Sequence, residues 1–123
     1  MGAVILASVT DVRETFVHEA QLRLGDGTDP AAVGAAVTTA LCGHWEHDGP
    51  CRWPHNNEID VSDDRATFRT LFVAPASDED EIRKRIDRAL QDGIGWAALL
   101  TRPRQVLPSE QPLAARLAAT PST

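Results

Sequence analysis

The sequence has no tyrosine, a single methionine, three phenylalanines and three tryptophans. With aromatics this scarce, a core has to be assembled largely from Val, Ile, Leu and Ala, so the elements must pack closely through small side chains. Basic excess is lacking too. A formal net charge of -6 argues against the broad positive footprint that nucleic acid or an anionic membrane surface would select. No apolar run is long enough to cross a bilayer. Residues 2–9, Gly-Ala-Val-Ile-Leu-Ala-Ser-Val, are apolar, but they are too few to span and lack the basic region of a signal peptide. Leu6 stands where a myristoylation motif requires Ser or Thr. These absences lead to the expectation of a cytoplasmic protein with neither a nucleic-acid nor a membrane partner. Only two cysteines occur, and in a reducing compartment metal binding or thiol reactivity is expected over a lasting disulfide.

At 123 residues and 42% hydrophobic content the chain has the size and composition of one domain with a real core. Residues 2–9 read as a weak strand. From Glu14 to Leu24 a period of two puts Phe16, His18, Ala20, Leu22 and Leu24 on one face and Val17, Glu19, Gln21 and Arg23 on the other, a half-buried strand. Gly25-Asp26-Gly27 breaks it, and Asp29-Pro30 supplies a cap and a first-turn proline. The helix that follows aligns Val33, Ala36, Val37, Ala40 and Leu41 and ends at Gly43, with Cys42 as its last residue.

Residues 58–62 and 65–74 read as a hairpin turning at Asp63-Asp64. Ser77 caps a second helix, with Asp80 completing a variant capping box. Its apolar stripe is Ile82, Ile86, Ala89 and Leu90, while Arg83, Lys84, Arg85 and Arg88 form a solvated outer face. Residues 95–101 are read as a strand, in preference to a short helix, that shows Trp96, Ala98 and Leu100 to the core. Beyond Arg102 four prolines mark a tail, in which Leu113 and Leu117 are positioned for a turn of helix docking on this subunit or on a partner.

The order strand, helix, strand, strand, helix, strand implies an α+β fold, a ferredoxin-like split βαβ sandwich with two helices on one face of an antiparallel sheet. It divides into a domain over 1–101, with a Cys/His/Trp-rich loop at 42–57, and an extended C-terminal tail over 102–123. The second face of such a sheet would bear Val17, Leu71 and Val73, which need cover, so a homodimer burying that face is expected.

Chemistry concentrates in Cys42-Gly43-His44-Trp45-Glu46-His47-Asp48-Gly49-Pro50-Cys51-Arg52-Trp53-Pro54-His55. Both cysteines, three of four histidines and two of three tryptophans lie in this stretch. Cys42, His44, His47, Cys51 and His55 are thiolate and imidazole groups spaced so that a loop can fold back around a transition metal, most naturally zinc. The leading expectation is a metal-binding protein of structural or accessory role. One alternative is an interaction module without metal, in which Trp45, Arg52 and Trp53 form a hot spot for an unidentified protein partner. Another is an enzyme with Cys51 as nucleophile and His47 or His55 as base. The loop also has a purely structural reading, with the indoles packed on the sheet and a disulfide between Cys42 and Cys51 as a variant. His18 points inward, as a satisfied core histidine or as a further ligand or base.

Overall fold

The computed structural model of the chain describes residues 12–42 and 52–120. The expected weak strand at 2–9 and the helix stop at Gly43 lie outside these residues. The described part contains β1 (Arg13–Leu24), α1 (Ala31–Cys42), β2 (His55–Ser62), β3 (Arg65–Pro75), α2 (Glu79–Asp92), β4 (Trp96–Arg104) and α3 (Gln111–Ala119). Short 3-10 turns at Ala76–Asp78 and Pro108–Glu110 lead into α2 and α3. The four strands form one antiparallel sheet in the order β2-β3-β1-β4, so the expected α+β class holds.

The alternation in β1 decides which layer lies on which side. Phe16 pairs with Phe72, Ala20 with Phe68 and Leu22 with Ala66 across β1 and β3, and these side chains share one core with Val33, Val37 and Leu41 of α1 and Ile82, Ile86 and Leu90 of α2. Both helices therefore cover one face. Asp29 caps α1 as expected, its Oδ1 accepting from the Ala31 N–H at 3.0 Å. The start of α2 differs from expectation. The 3-10 turn occupies Ser77, and the cap position falls to Asp78, which makes no side-chain capping bond because its Oδ2 accepts from the indole N–H of Trp53 instead.

The other face is covered from within the chain. Val17, which pairs with Leu71, is buried against Ala114, with Val106, Leu113 and Leu117 packed around it. Within the stretch read as a tail, α3 docks on this subunit, one of the two placements expected for Leu113 and Leu117, and covers part of the face for which a homodimer was expected. Arg69 fastens it at one end, donating to Glu110 at 2.7 Å and to Glu19 at 2.6 Å. Arg13 fastens it at the other through the carbonyls of Ala118 and Thr120.

Residues 96–104 form a strand, as preferred, but a register shift changes its faces. Gln21 pairs with Leu100 and Leu22 with Ala98, which leaves Leu99 without an opposite residue, a bulge. In consequence Trp96, Ala98 and Thr101 lie on the helix side, and Leu100, expected inside, is 51% exposed. Trp96 lies over Gly93, where any Cβ would fall inside the indole, and donates to the Leu90 carbonyl.

Candidate functional site

The expected site is anchored by two feet. Cys42 at the end of α1 is disulfide-bonded, and the other cysteine of the sequence, Cys51, lies outside the described residues, as do His44, Trp45 and His47. Arg52 and Trp53 form the second foot. Trp53 is 2% exposed within the main core, with the guanidinium groups of Arg52 and Arg85 over its ring at 4.4 and 5.1 Å from the centroid. A tryptophan so enclosed anchors a loop and cannot serve as a hot spot for another protein, which corrects that reading for Trp53.

The metal reading is overturned. Among the described residues no group of three or more His, Cys, Asp or Glu side chains is placed to hold a metal ion. The physical reasons are visible at two of the five expected ligands. A sulfur in a disulfide has no thiolate to offer, and that removes Cys42. The two ring nitrogens of His55 are engaged, Nδ1 with the Trp53 carbonyl and Nε2 with Thr38 Oγ1, both at 3.0 Å.

His55 belongs instead to a relay that sequence reading missed. A carbonyl can only accept, so Nδ1 carries the ring proton and Nε2 accepts from the Thr38 hydroxyl. The Thr38 oxygen then accepts from Asn57 Nδ2 at 3.0 Å, the Asn57 amide also donates to the Gly34 carbonyl at 3.1 Å, and Asn57 Oδ1 accepts from Thr70 Oγ1 at 3.0 Å. Each partner fixes the orientation of the next. Asn57 and Thr70 are opposite in register, while Thr38 and Gly34 lie one turn apart on α1. The relay thus ties α1 to β2 through side chains without formal charge. The signal available in the sequence was weak: Gly34 and Thr38 share a helix face, and Gly34 lets the Asn57 side chain approach within 3.5 Å of where a Cβ would stand.

Beside the relay a cleft of about 350 Å³ runs between α1 and the outer edge of β2. Pro30, Ala31, Gly34 and Ala35 line it from the helix, and Asn57, Glu58 and Ile59 from the strand. Among the described residues β2 is paired on one side only, with β3. Pro54 accepts from the Val73 N–H at 2.9 Å, in register with the rest of the ladder. Backbone groups alternate along an antiparallel strand, so those of Asn56, Glu58 and Asp60 face β3 and those of His55, Asn57, Ile59 and Val61 face the open edge. Glu58 and Asp60 are exposed and lie on the sheet face away from α1.

His18 is the other expected candidate, and it is a satisfied core histidine, 3% exposed. Arg83 donates to Nδ1 at 3.0 Å, so Nε2 bears the proton and donates to Asp87 at 2.7 Å. Burial pushes its pKa below the ordinary value, against the pull of Asp87 and with the push of Arg83. To act as a base it would have to break one of these bonds. Arg83, expected on the solvated face, turns inward and also donates to the Val17 carbonyl.

No family model matches the chain, and neither a curated protein nor a solved structure does. Among the described residues no helix is long and apolar enough to cross a membrane.

Proposed function

We propose that this chain is a small recognition domain that captures an extended segment of another protein by strand addition along β2. The observation that carries the reading is the cleft between α1 and a strand edge that no other described residue pairs with. An unpaired edge offers a fixed row of N–H and C=O groups, which gives affinity without regard to sequence, and flanking pockets read alternate side chains. Residues of the incoming strand that face α1 would meet Ala31, Ala35 and Ile59, a setting for small apolar side chains. Those on the opposite face would meet Glu58 and Asp60, a setting for Lys or Arg. The net charge of -6 would speed the encounter with such a basic segment. The relay through Asn57 holds the helix at the spacing the cleft requires.

Two broader readings accompany this one. The element order β-α-β-β-α-β and the placement of α1 and α2 on one face support a ferredoxin-like arrangement. The disulfide at Cys42 favours an oxidising compartment over the cytoplasm expected from the sequence.

The test is titration with extended peptides that alternate valine with lysine, followed by amide chemical shifts. Shifts centred on residues 55–61 and the α1 face, with no binding when lysine is replaced by glutamate, are expected. Val61→Pro removes an N–H from the open edge while sparing the ladder to β3, so it should abolish binding and leave the fold intact. Peptide binding that survives Val61→Pro and Glu58→Lys would refute strand addition at β2.

A further inference from the structure

The edge of β2 leads past the cleft into a second hollow at one end. Ser62 and Arg23 both lie opposite Arg65, so the turn after β2 sits beside the end of β1, and Leu24 donates to the Asp64 carbonyl at 2.6 Å. Between that turn and the turn after β1 is a pocket of about 290 Å³, which shares Pro30 with the cleft and is bordered by Val61, a residue of the open edge. The charged side chains lining it are Asp26, Asp63 and Asp64. Arg23 reaches Asp64 only at 3.9 Å, with both side chains more than half exposed, so the pocket keeps an excess of negative charge. At the far end of the cleft Thr38 and His55 supply the polar groups, and hydrogen bonds within the relay use them. The two ends of the edge therefore differ in charge.

We propose that the strand captured at β2 runs antiparallel to it and carries a cationic amino-terminal end, which enters the pocket between the two turns. This rests on strand addition at β2 and gives it a direction and a register. The backbone favours the direction. His55, Asn57, Ile59 and Val61 each turn an N–H and a C=O outward, and one opposing residue of an antiparallel partner takes both, in the pairing that is the more stable per residue. The three pairings of the sheet are all of this kind. Because β2 runs from His55 to Ser62, an antiparallel partner has its amino end beside Ser62 and its carboxyl end beside His55. Strands have little net dipole, so the acids of the pocket read the side chains or the free terminus that arrive there. The register follows from the alternation. The residue opposite Ile59 turns its side chain toward α1, where Phe68, Ala31 and Ala35 line the cleft, and it is aliphatic. Its neighbours on either side meet Glu58 and Asp60, and the cation lies past Val61.

A peptide with valine at alternate positions, lysine toward its amino end and serine toward its carboxyl end tests this against the peptide of reversed order. A nitroxide on the amino end of the first should broaden the amides of Gly27 and Asp64 more than that of His55, and the reversed peptide should bind at least about fivefold more weakly. Asp26→Asn combined with Asp64→Asn should weaken the lysine-led peptide about fivefold and leave an acetylated, alanine-led peptide unchanged. Freeing the amino terminus of the alanine-led peptide tells the α-amino group from a lysine side chain as the cation, and a gain from at least one of the two is expected. Stronger broadening of His55, or no gain from either cation, overturns the direction while strand addition at β2 stands. Peptides that leave residues 55–61 unshifted sink strand addition and this proposal with it.

Discussion

Replacing Asn57 with alanine is the perturbation that bears most directly on the site. The side chain makes three hydrogen bonds, to the Gly34 carbonyl, to Thr38 Oγ1 and from Thr70 Oγ1. Each neutral bond contributes about 1 kcal/mol net, but a buried group left without its partner costs about 1–3 kcal/mol. Thr70 is fully buried at 0% exposure, so its hydroxyl takes the larger penalty, whereas Gly34 and Thr38 are half-buried and regain water. Asn57→Ala should therefore destabilise by about 3 kcal/mol, a large part of the 5–15 kcal/mol that holds a domain. The assay is urea unfolding followed by tryptophan fluorescence, since Trp53 reports on the core. The decisive comparison adds Thr70→Val. If the orphaned hydroxyl causes the loss, the double variant should be at least as stable as Asn57→Ala alone, and the two single effects should fall short of additivity by about 1–2 kcal/mol. Strict additivity, or a loss below about 0.5 kcal/mol for Asn57→Ala, would refute the reasoning.

Two other substitutions probe the rest of the polar framework. Because burial holds the pKa of His18 below its ordinary 6.5, the unfolded chain takes up the proton first as pH falls. The stability linked to this residue is complete above about 6.5 and is lost below it. His18→Gln should flatten the stability profile between about pH 5 and 7; an unchanged slope would exclude His18 as its source. Arg69 holds the carboxyl of Glu110 below the usual range, chiefly through their hydrogen bond, and that contribution is lost at lower pH, as the carboxyl titrates. Arg69→Met leaves Glu19 buried with only distant arginines, so a loss of about 3 kcal/mol is expected. Tryptic cleavage at Arg116 should rise as α3 loosens, and unaltered cleavage would show that the apolar contacts alone hold the helix.

The elements were legible wherever a period repeated. β1 and both helices of the main layer follow the spacing of their apolar residues, and the cap at Asp29 falls where Asp-Pro placed it. The bulge at Leu99 was not legible, because a run of Ala and Leu carries no marker for an extra residue. The docking of α3 was half legible: Leu113 and Leu117 declared an apolar face, but only the sheet could show where it rests. The site was misread for a chemical reason. Cysteine, histidine and tryptophan are the residues of metal centres and hot spots, and they serve equally well as staples. A disulfide consumes the thiolate of Cys42, hydrogen bonds occupy His55, and the core encloses Trp53. The cleft beside Asn57 is made of Pro, Ala, Gly and Thr, which no chemical motif distinguishes.

The central position of β1 bears on how the chain acquires its shape during synthesis. β1 leaves the ribosome before either neighbour exists: Arg13 awaits Pro75, and Leu24 awaits Trp96. The hairpin of β2 and β3 can close locally at once, while the strand at the middle of the sheet is joined on both sides only when the polypeptide is nearly finished. In that interval its alternating apolar face is exposed to every other nascent copy. Its charged and polar members, Glu14, Glu19, Gln21 and Arg23, then act as guardians of solubility well before they take up their folded roles.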